Sequence, residues 1–345
     1  MKRMLNLLMM LALTAWTVGT AEAQVRKAGL TGASFLKIGV GARAVALGSA
    51  YTTVRNDVNQ MFWNPAGISV TDGQMQVTFS YNDWIADLNH IAAGVSRGVG
   101  NYGTIGIGFV ALSLGNIEAN RDVVPGFLAG SYTGFVDPNT SAEYDYSDTA
   151  VNVSWAYQFT DRLSMGLTGK FISQSIDNFS ANAVALDAGI IYDIGYKGAR
   201  IGARINNLGS DIKYYEIAAP LPLVFSIGSS INLMENTEQG MRFTAMVDAT
   251  KPQDGEQLLF VAGEAQVAKY LMLRGGYKLN YSGTSDNKTD EITGQRFGAD
   301  RTEEGYTLGA GLSYPTGGFN VGVDYAFTEF GLLNNVHRVS VNLGF

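Results

Sequence analysis

The sequence predicts an all-β fold, a transmembrane antiparallel β-barrel of about fourteen strands with an N-terminal luminal hatch or plug. Three observations predict it. From Gln74 to Phe345 the chain is mostly short runs of apolar/polar alternation, the period-two pattern of strands with unlike faces. Glycine reaches 42 residues, with Tyr 17 and Phe 17, while only 16% of residues are charged. No apolar run beyond the N-terminus is long enough for a helical span, so this balance suits a chain that crosses a membrane with strands. The third observation is the length of the connections.

Met75, Val77, Phe79 and Tyr81 share one face, opposite Gln74, Gln76, Thr78 and Ser80. Val151, Val153, Trp155, Tyr157 and Phe159 repeat the split, as do Phe319, Val321, Val323, Tyr325 and Phe327. Alternation alone fits a soluble sandwich equally, because its apolar faces would meet in a core. Connection lengths separate the two. Strands read near 74–81, 88–97, 101–112, 148–159, 162–173, 182–194, 199–207, 221–233, 241–249, 257–267, 270–280, 305–314, 318–328 and 335–345 give an even count. Every second connection is short, and the long ones, 113–147, 208–220 and 281–304, all fall at the other end. Short periplasmic turns with long extracellular loops are a rule of outer-membrane barrels, and a sandwich does not need it. The last strand, with Val339, Val341, Leu343 and terminal Phe345 on one face, has the form of a barrel-assembly signal.

Charges inside the strands take the polar parity: Lys170, Asp187, Asp193, Arg204, Arg242, Asp248, Arg274, Lys278, Asp324 and Arg338. A lipid-facing Lys or Arg at mid-bilayer costs roughly 2–4 kcal/mol, so this parity faces the lumen. Pairwise neutralisation in the wall is the ordinary reason for such a set, ahead of catalysis.

Met1 to Ala23 carries Lys2 and Arg3, a short apolar core and the small-x-small ending Ala21-Glu22-Ala23, the pattern of a secretory signal peptide. The expected division is therefore 1–23 signal peptide, 24–73 hatch segment and 74–345 barrel. Cleavage would remove Lys2, Arg3 and Glu22 and take the formal charge from −7 to −8. An acidic exported chain is a poor nucleic-acid binder. With no cysteine, disulfide staples and thiolate metal sites are excluded.

Two signals mislead. Gly98-Val99-Gly100-Asn101-Tyr102-Gly103 matches the dinucleotide fingerprint, but Thr104 to Phe109 alternates where the fingerprint needs a helix, so a periplasmic turn explains it. His90 and His337 are the two histidines, and neither adjoins a nucleophile motif or a ligand set. No enzyme activity, cofactor or metal is expected.

Gly39 to Ile68 refuses the alternation and is the segment the strands are expected to enclose. Asn56-Asp57 reads as the N-cap of a short helix through Phe62, stopped at Asn64-Pro65, with Gly67 allowing a reversal. GARAVALGSAYTTVRNDVNQMFWNPAG resembles the N-terminal signature of the PorV/PorQ family of FadL-like outer-membrane barrels. Asn206-Asn207-Leu208-Gly209, Leu221-Pro222 and Val336-His337-Arg338 extend the resemblance over essentially the whole mature chain. Ser49 departs from a glycine the family often has, and Arg55-Asn56-Asp57 is more polar than usual. The resemblance implies fourteen strands and a hatch holding Arg43, Asn64, Pro65 and Gly67 in the lumen.

It also implies an outer-membrane, lipid-embedded, non-enzymatic component associated with type IX secretion, whose partners are exported proteins or other secretion components. The alternative is a FadL-like passive channel for hydrophobic small molecules, with Leu258 and Phe260 lining a greasy site. Phe127, Tyr132, Phe135, Tyr144 and Tyr146, set among acids in one long loop, form the candidate partner surface. The candidate hatch residues are Arg43, Asn56, Asp57, Asn64, Pro65 and Gly67.

Overall fold

The computed structural model describes residues 30–69, 73–118, 143–214, 216–236, 240–255, 257–267, 269–280, 288–289, 296–297, 304–330, 333 and 335–345. The expected signal peptide lies outside them. Fourteen antiparallel strands close into a single barrel: β1 (Met75–Trp84), β2 (Leu88–Gly98), β3 (Thr104–Glu118), β4 (Glu143–Gln158), β5 (Leu163–Ile176), β6 (Phe179–Asp193) and β7 (Arg200–Gly209), followed by β8 (Val224–Asn236), β9 (Met241–Pro252), β10 (Leu258–Gln266), β11 (Leu271–Asn280), β12 (Tyr306–Thr316), β13 (Phe319–Glu329) and β14 (Asn335–Gly344). Each strand pairs with its sequence neighbours, and β1 closes on β14 from Gln76↔Gly344 to Asp83↔His337. Terminal Phe345 completes the seam with backbone hydrogen bonds to Met75 of 2.8 and 3.1 Å.

The apolar face of the alternation is the outer one. Phe79, Ile105, Ile107, Val153, Phe171, Leu308 and Val323 are all exposed, which in water would be a large penalty and in a bilayer is none. At the periplasmic end aromatics gather, as interfacial rings do. Trp155 Nε1 donates to the Tyr102 carbonyl at 2.8 Å, and Phe319 and Phe345 pack edge to face at 5.2 Å.

β3 to β6 run longer than the sequence pattern indicates. Their outward residues above Phe109, Val151 and Phe171 are Ser113, Ser147, Thr149, Ser173 and Ser175. Both faces there lie outside the lipid, so apolar contrast fades while backbone pairing continues. The expected loop 113–147 accordingly shortens at both ends. A hairpin, Ile212–Tyr214 with Ile217–Ala219, occupies part of the 210–223 connection.

One irregularity shapes the wall. The register of β6 on β7 shifts between Leu186 and Ala188, leaving Asn206-Asn207 as a bulge with Asn207 at φ 63°. Asparagine tolerates that left-handed backbone better than other residues with a Cβ. Buried Asp187 fills the bulge, accepting from Asn207 N at 2.7 Å and Asn206 Nδ2 at 2.9 Å, with Lys170 Nζ at 2.7 Å.

Candidate functional site

Residues 30–69 lie inside the barrel. They fold as short pieces: a 3-10 turn Ser34–Lys37, the helix α1 (Ala42–Ala46), and 3-10 turns Val58–Phe62 and Pro65–Ile68. Asp57 caps the second turn, its Oδ1 accepting from Asn59 N at 2.9 Å, and Asn64 caps the third, its Oδ1 accepting from Ala66 N at 3.2 Å. No piece is long enough to be stable alone. The wall supplies the missing partners.

The segment runs down the lumen from the extracellular end to the periplasmic end. At the top, Asp254 of the β9–β10 turn takes Thr31 Oγ1 at 2.5 Å and Lys37 Nζ at 2.6 Å, while Gly32 N donates to Pro220 O at 3.0 Å. In the middle, Asp248 Oδ2 accepts both Tyr51 N and Thr52 N at 2.9 Å. At the bottom, Arg55 Nη2 reaches Ser164 Oγ at 2.9 Å, and Gln76 Nε2 donates to Asn56 O at 3.1 Å.

Arg43 is the main electrostatic tie. Its Nε and Nη2 form a two-point pair with Glu264 of β10 at 2.9 and 2.8 Å, and its Nη1 reaches Asp57 at 3.1 Å. Glu264 also accepts from Arg274 at 2.8 Å, which goes on to Asp324 at 2.5 Å. Burial disfavours the Arg43 charge, but the carboxylates of Glu264 and Asp57 outweigh it and hold the guanidinium well above its ordinary pKa. Burial, then Asp57, pushes the Tyr51 hydroxyl well above its usual value, so it stays a neutral donor to Asp57. Arg43, Asp57, Glu264, Arg274 and Asp324 border a cavity of about 240 Å³ at the periplasmic end, with Arg242, Asn320 and Asn342.

Apolar packing fills the rest. Phe35 and Val40 join Val110, Leu112, Ala150, Ile172, Ala181 and Ile212 in the upper lumen. Leu47, Ala50 and Tyr51 pack on Met246 and Phe260, with Leu258 beside them. The expected greasy site at Leu258 and Phe260 is thus covered by the chain's own segment.

Inward-facing glycines let the backbones meet. A Cβ at Gly166 or Gly189 would collide with Asn64-Pro65, one at Gly276 with Leu47-Gly48, one at Gly228 with Thr52 and one at Gly108 with Met61. Much of the glycine excess is explained here, and the signal that could have revealed it is glycine on the luminal parity of successive strands.

Of the sequence-predicted hatch residues, Arg43 and Asp57 pair with each other, Asn64 and Pro65 seat separately against β5 and β6, and Asn56 holds φ 57° beside the periplasmic cavity. Asn64 is fully buried, donating Nδ2 to Thr52 O at 2.7 Å and Ile190 O at 3.2 Å. It lies in the lumen, level with Gly189 and Ile190 of β6. Gly67 makes no reversal. Its backbone is helical, and it is needed for space, since a Cβ would meet Gln60 Cγ at 2.6 Å and clash with the Val54 carbonyl. Phe127, Tyr132 and Phe135 lie outside the described residues. Tyr144 and Tyr146 belong to β4, and Tyr146 turns inward to Asp148 at 2.6 Å, because the strand continues above the membrane. Sequence reasoning missed Lys37, Asp254 and Glu264, whose partners are more than two hundred residues away.

A plugged fourteen-stranded barrel narrows the field to outer-membrane families, and the sequence match decides among them. Residues 21–251, about two thirds of the chain, match the model described as type IX secretion system protein PorV. The chain belongs to the PorV family. No curated protein matches it. Among solved structures, the Ralstonia pickettii toluene transporter TbuX aligns with TM-score 0.52 at 12% identity, covering 89% of this chain and 97% of that one. The Pseudomonas putida toluene transporter TodX gives 0.53 at 12%, covering 89% and 97%. A Pseudomonas aeruginosa FadL homologue gives 0.52 at 11%, covering 89% and 98%. At these identities the likeness is one of fold: this PorV-family chain is a FadL-like outer-membrane barrel.

Proposed function

We propose that this protein is a non-enzymatic component of type IX secretion that receives exported proteins at the cell surface through its extracellular loops. The observation carrying the reading is that the upper lumen is occupied by the chain's own Phe35 and Val40 and tied shut from Asp254 down to Ser164. A barrel sealed by its own segment works at its rim. Family membership supplies the secretion context.

A pull-down from outer membranes tests it. Secreted proteins sharing a C-terminal domain should co-purify with the parent and be lost when residues 120–141 are deleted, a cut that spares β3 and β4. Capture that survives this deletion sinks the assignment of that loop. The second reading, a passive channel for hydrophobic small molecules, draws on the fold shared with the toluene transporters. A hydrophobic ligand in the purified lumen, with no co-purifying protein, would favour it.

A further inference from the structure

Among the buried wall arginines of the described residues, Arg204 has no ion pair but is held by Thr52 Oγ1 at 3.2 Å and Asn206 Oδ1 at 3.0 Å, and Arg338 is held by less. Arg338 on β14 is 2% exposed and faces inward, yet no carboxylate pairs with it among the described residues. Its Nη2 spends one hydrogen bond on Asn82 Oδ1 at 2.7 Å, in the amide orientation that also lets Asn82 Nδ2 donate to His337 O at 3.1 Å. Its Nε has no protein partner. Asp324 on the neighbouring β13 is committed to Arg274 at 2.5 Å and Asn342 at 2.8 Å.

The surroundings offer Arg338 no free carboxylate among the described residues. Register places Asn82 of β1 directly between Arg338 of β14 and His90 of β2. His90 is 1% exposed with both ring nitrogens unpartnered by protein. Arg338 lies within electrostatic reach of both His90 and Lys278, and Lys278 is already paired with Glu304. The Arg338 guanidinium has no counter-charge among the described residues. A buried charge removed from water and left unpaired is strongly unfavourable, and a polar contact alone does not neutralise it.

We propose that the lumen binds one oxyanion, a carboxylate or phosphate group, between Arg338 and His90. The site lies on the extracellular side of α1: Ser340, the next inward residue of β14, accepts from Ala42 N at 2.8 Å. Arg338 supplies charge and the free Nε donor; His90 supplies a ring N–H. A neutral aromatic hydrocarbon would satisfy neither. The inference does not depend on what the extracellular loops capture.

The test uses the whole barrel, purified in detergent and exchanged into a Tris chloride buffer free of oxyanions, with each probe addition compared with an addition of sodium chloride of equal ionic strength. Inorganic phosphate and acetate probe a free oxyanion, and dodecyl phosphate probes the headgroup of an amphiphile. At least one should raise the thermal unfolding temperature saturably in the parent. Arg338→Met should abolish the shift, and Arg338→Lys should keep a weaker one. His90→Phe, which retains the wall's strands if Arg338→Met fails to insert, should weaken the apparent affinity about tenfold. A response to dodecyl phosphate alone assigns the source to an amphiphile, and a response to phosphate or acetate assigns it to a free ion. The proposal is overturned if the parent shows no saturable shift, if chloride does the same, or if Arg338→Met or His90→Phe responds like the parent.

Discussion

Arg43 in the plug and Glu264 in the barrel wall face each other as a two-point ion pair, with both contacts below 3.0 Å. The fork geometry matters as much as the charge, because a guanidinium matches a carboxylate at two positions and an ammonium does not. Glu264→Gln should therefore loosen the plug by on the order of 3 kcal/mol, the cost of stranding a buried partner. Arg43→Lys should give a smaller loss. Conductance of the inserted barrel in planar bilayers checks this: both variants should show openings the parent lacks, and parent-like silence in both would refute the latch.

Asn64 serves four partners at once, capping Ala66 N and donating to Thr52 O and Ile190 O while its own N–H goes to Gln60 Oε1. Asn64→Ala removes a cap and orphans a buried carbonyl, together about 2 kcal/mol. Heat-modifiable gel migration should show an inserted barrel, with new protease cleavage inside 30–69. A variant that does not insert, or whose plug resists protease as the parent's does, contradicts this placement.

Gly166 and Gly169 on β5 make an internal control. A Cβ on Gly166 would enter the Pro65–Ala66 backbone, whereas one on Gly169 meets nothing within 4 Å. Gly166→Ala should displace the plug and raise conductance, and Gly169→Ala should match the parent. Equal behaviour of the two would mean that wall glycines do not set the plug's seat.

The barrel was legible because lipid outside and a wet wall inside impose a period of two on every strand. It became illegible where that contrast ends, at Ser147 and Tyr146 of β4, which read as loop. Within the plug, local chemistry was partly readable: Asp57 announces a cap by its residue type, whereas Asn64, read as a stop before Pro65, turns out to cap the next turn. Gly67 misled because glycine answers two different needs, backbone freedom and close approach, and sequence does not say which. Of the wall partners, Asp248 could be read only as an inward charge, and Asp254 and Glu264 were missed, since closing the barrel is what brings them to the plug.

Asp254 gives the plug's upper tie a pH dependence. Burial alone would raise its pKa, but the hydrogen bonds from Lys37 and Thr31 outweigh this and hold the carboxyl below its ordinary value. A depressed carboxylate contributes stability that is complete above the ordinary value of about 4 and is lost as pH falls through the lower folded value. The N-terminal segment should thus stay anchored near neutrality and come loose only below about pH 4. The cysteine-free chain permits one clean label at exposed Leu30, as Leu30→Cys with a fluorophore. Its anisotropy should be high and flat from neutrality down to about pH 4 and then fall, while Asp254→Asn should be low throughout. A parent signal that stays high below pH 3, or an Asp254→Asn signal that equals the parent's at neutrality, would show that the segment is held at the top of the lumen by something other than this carboxylate.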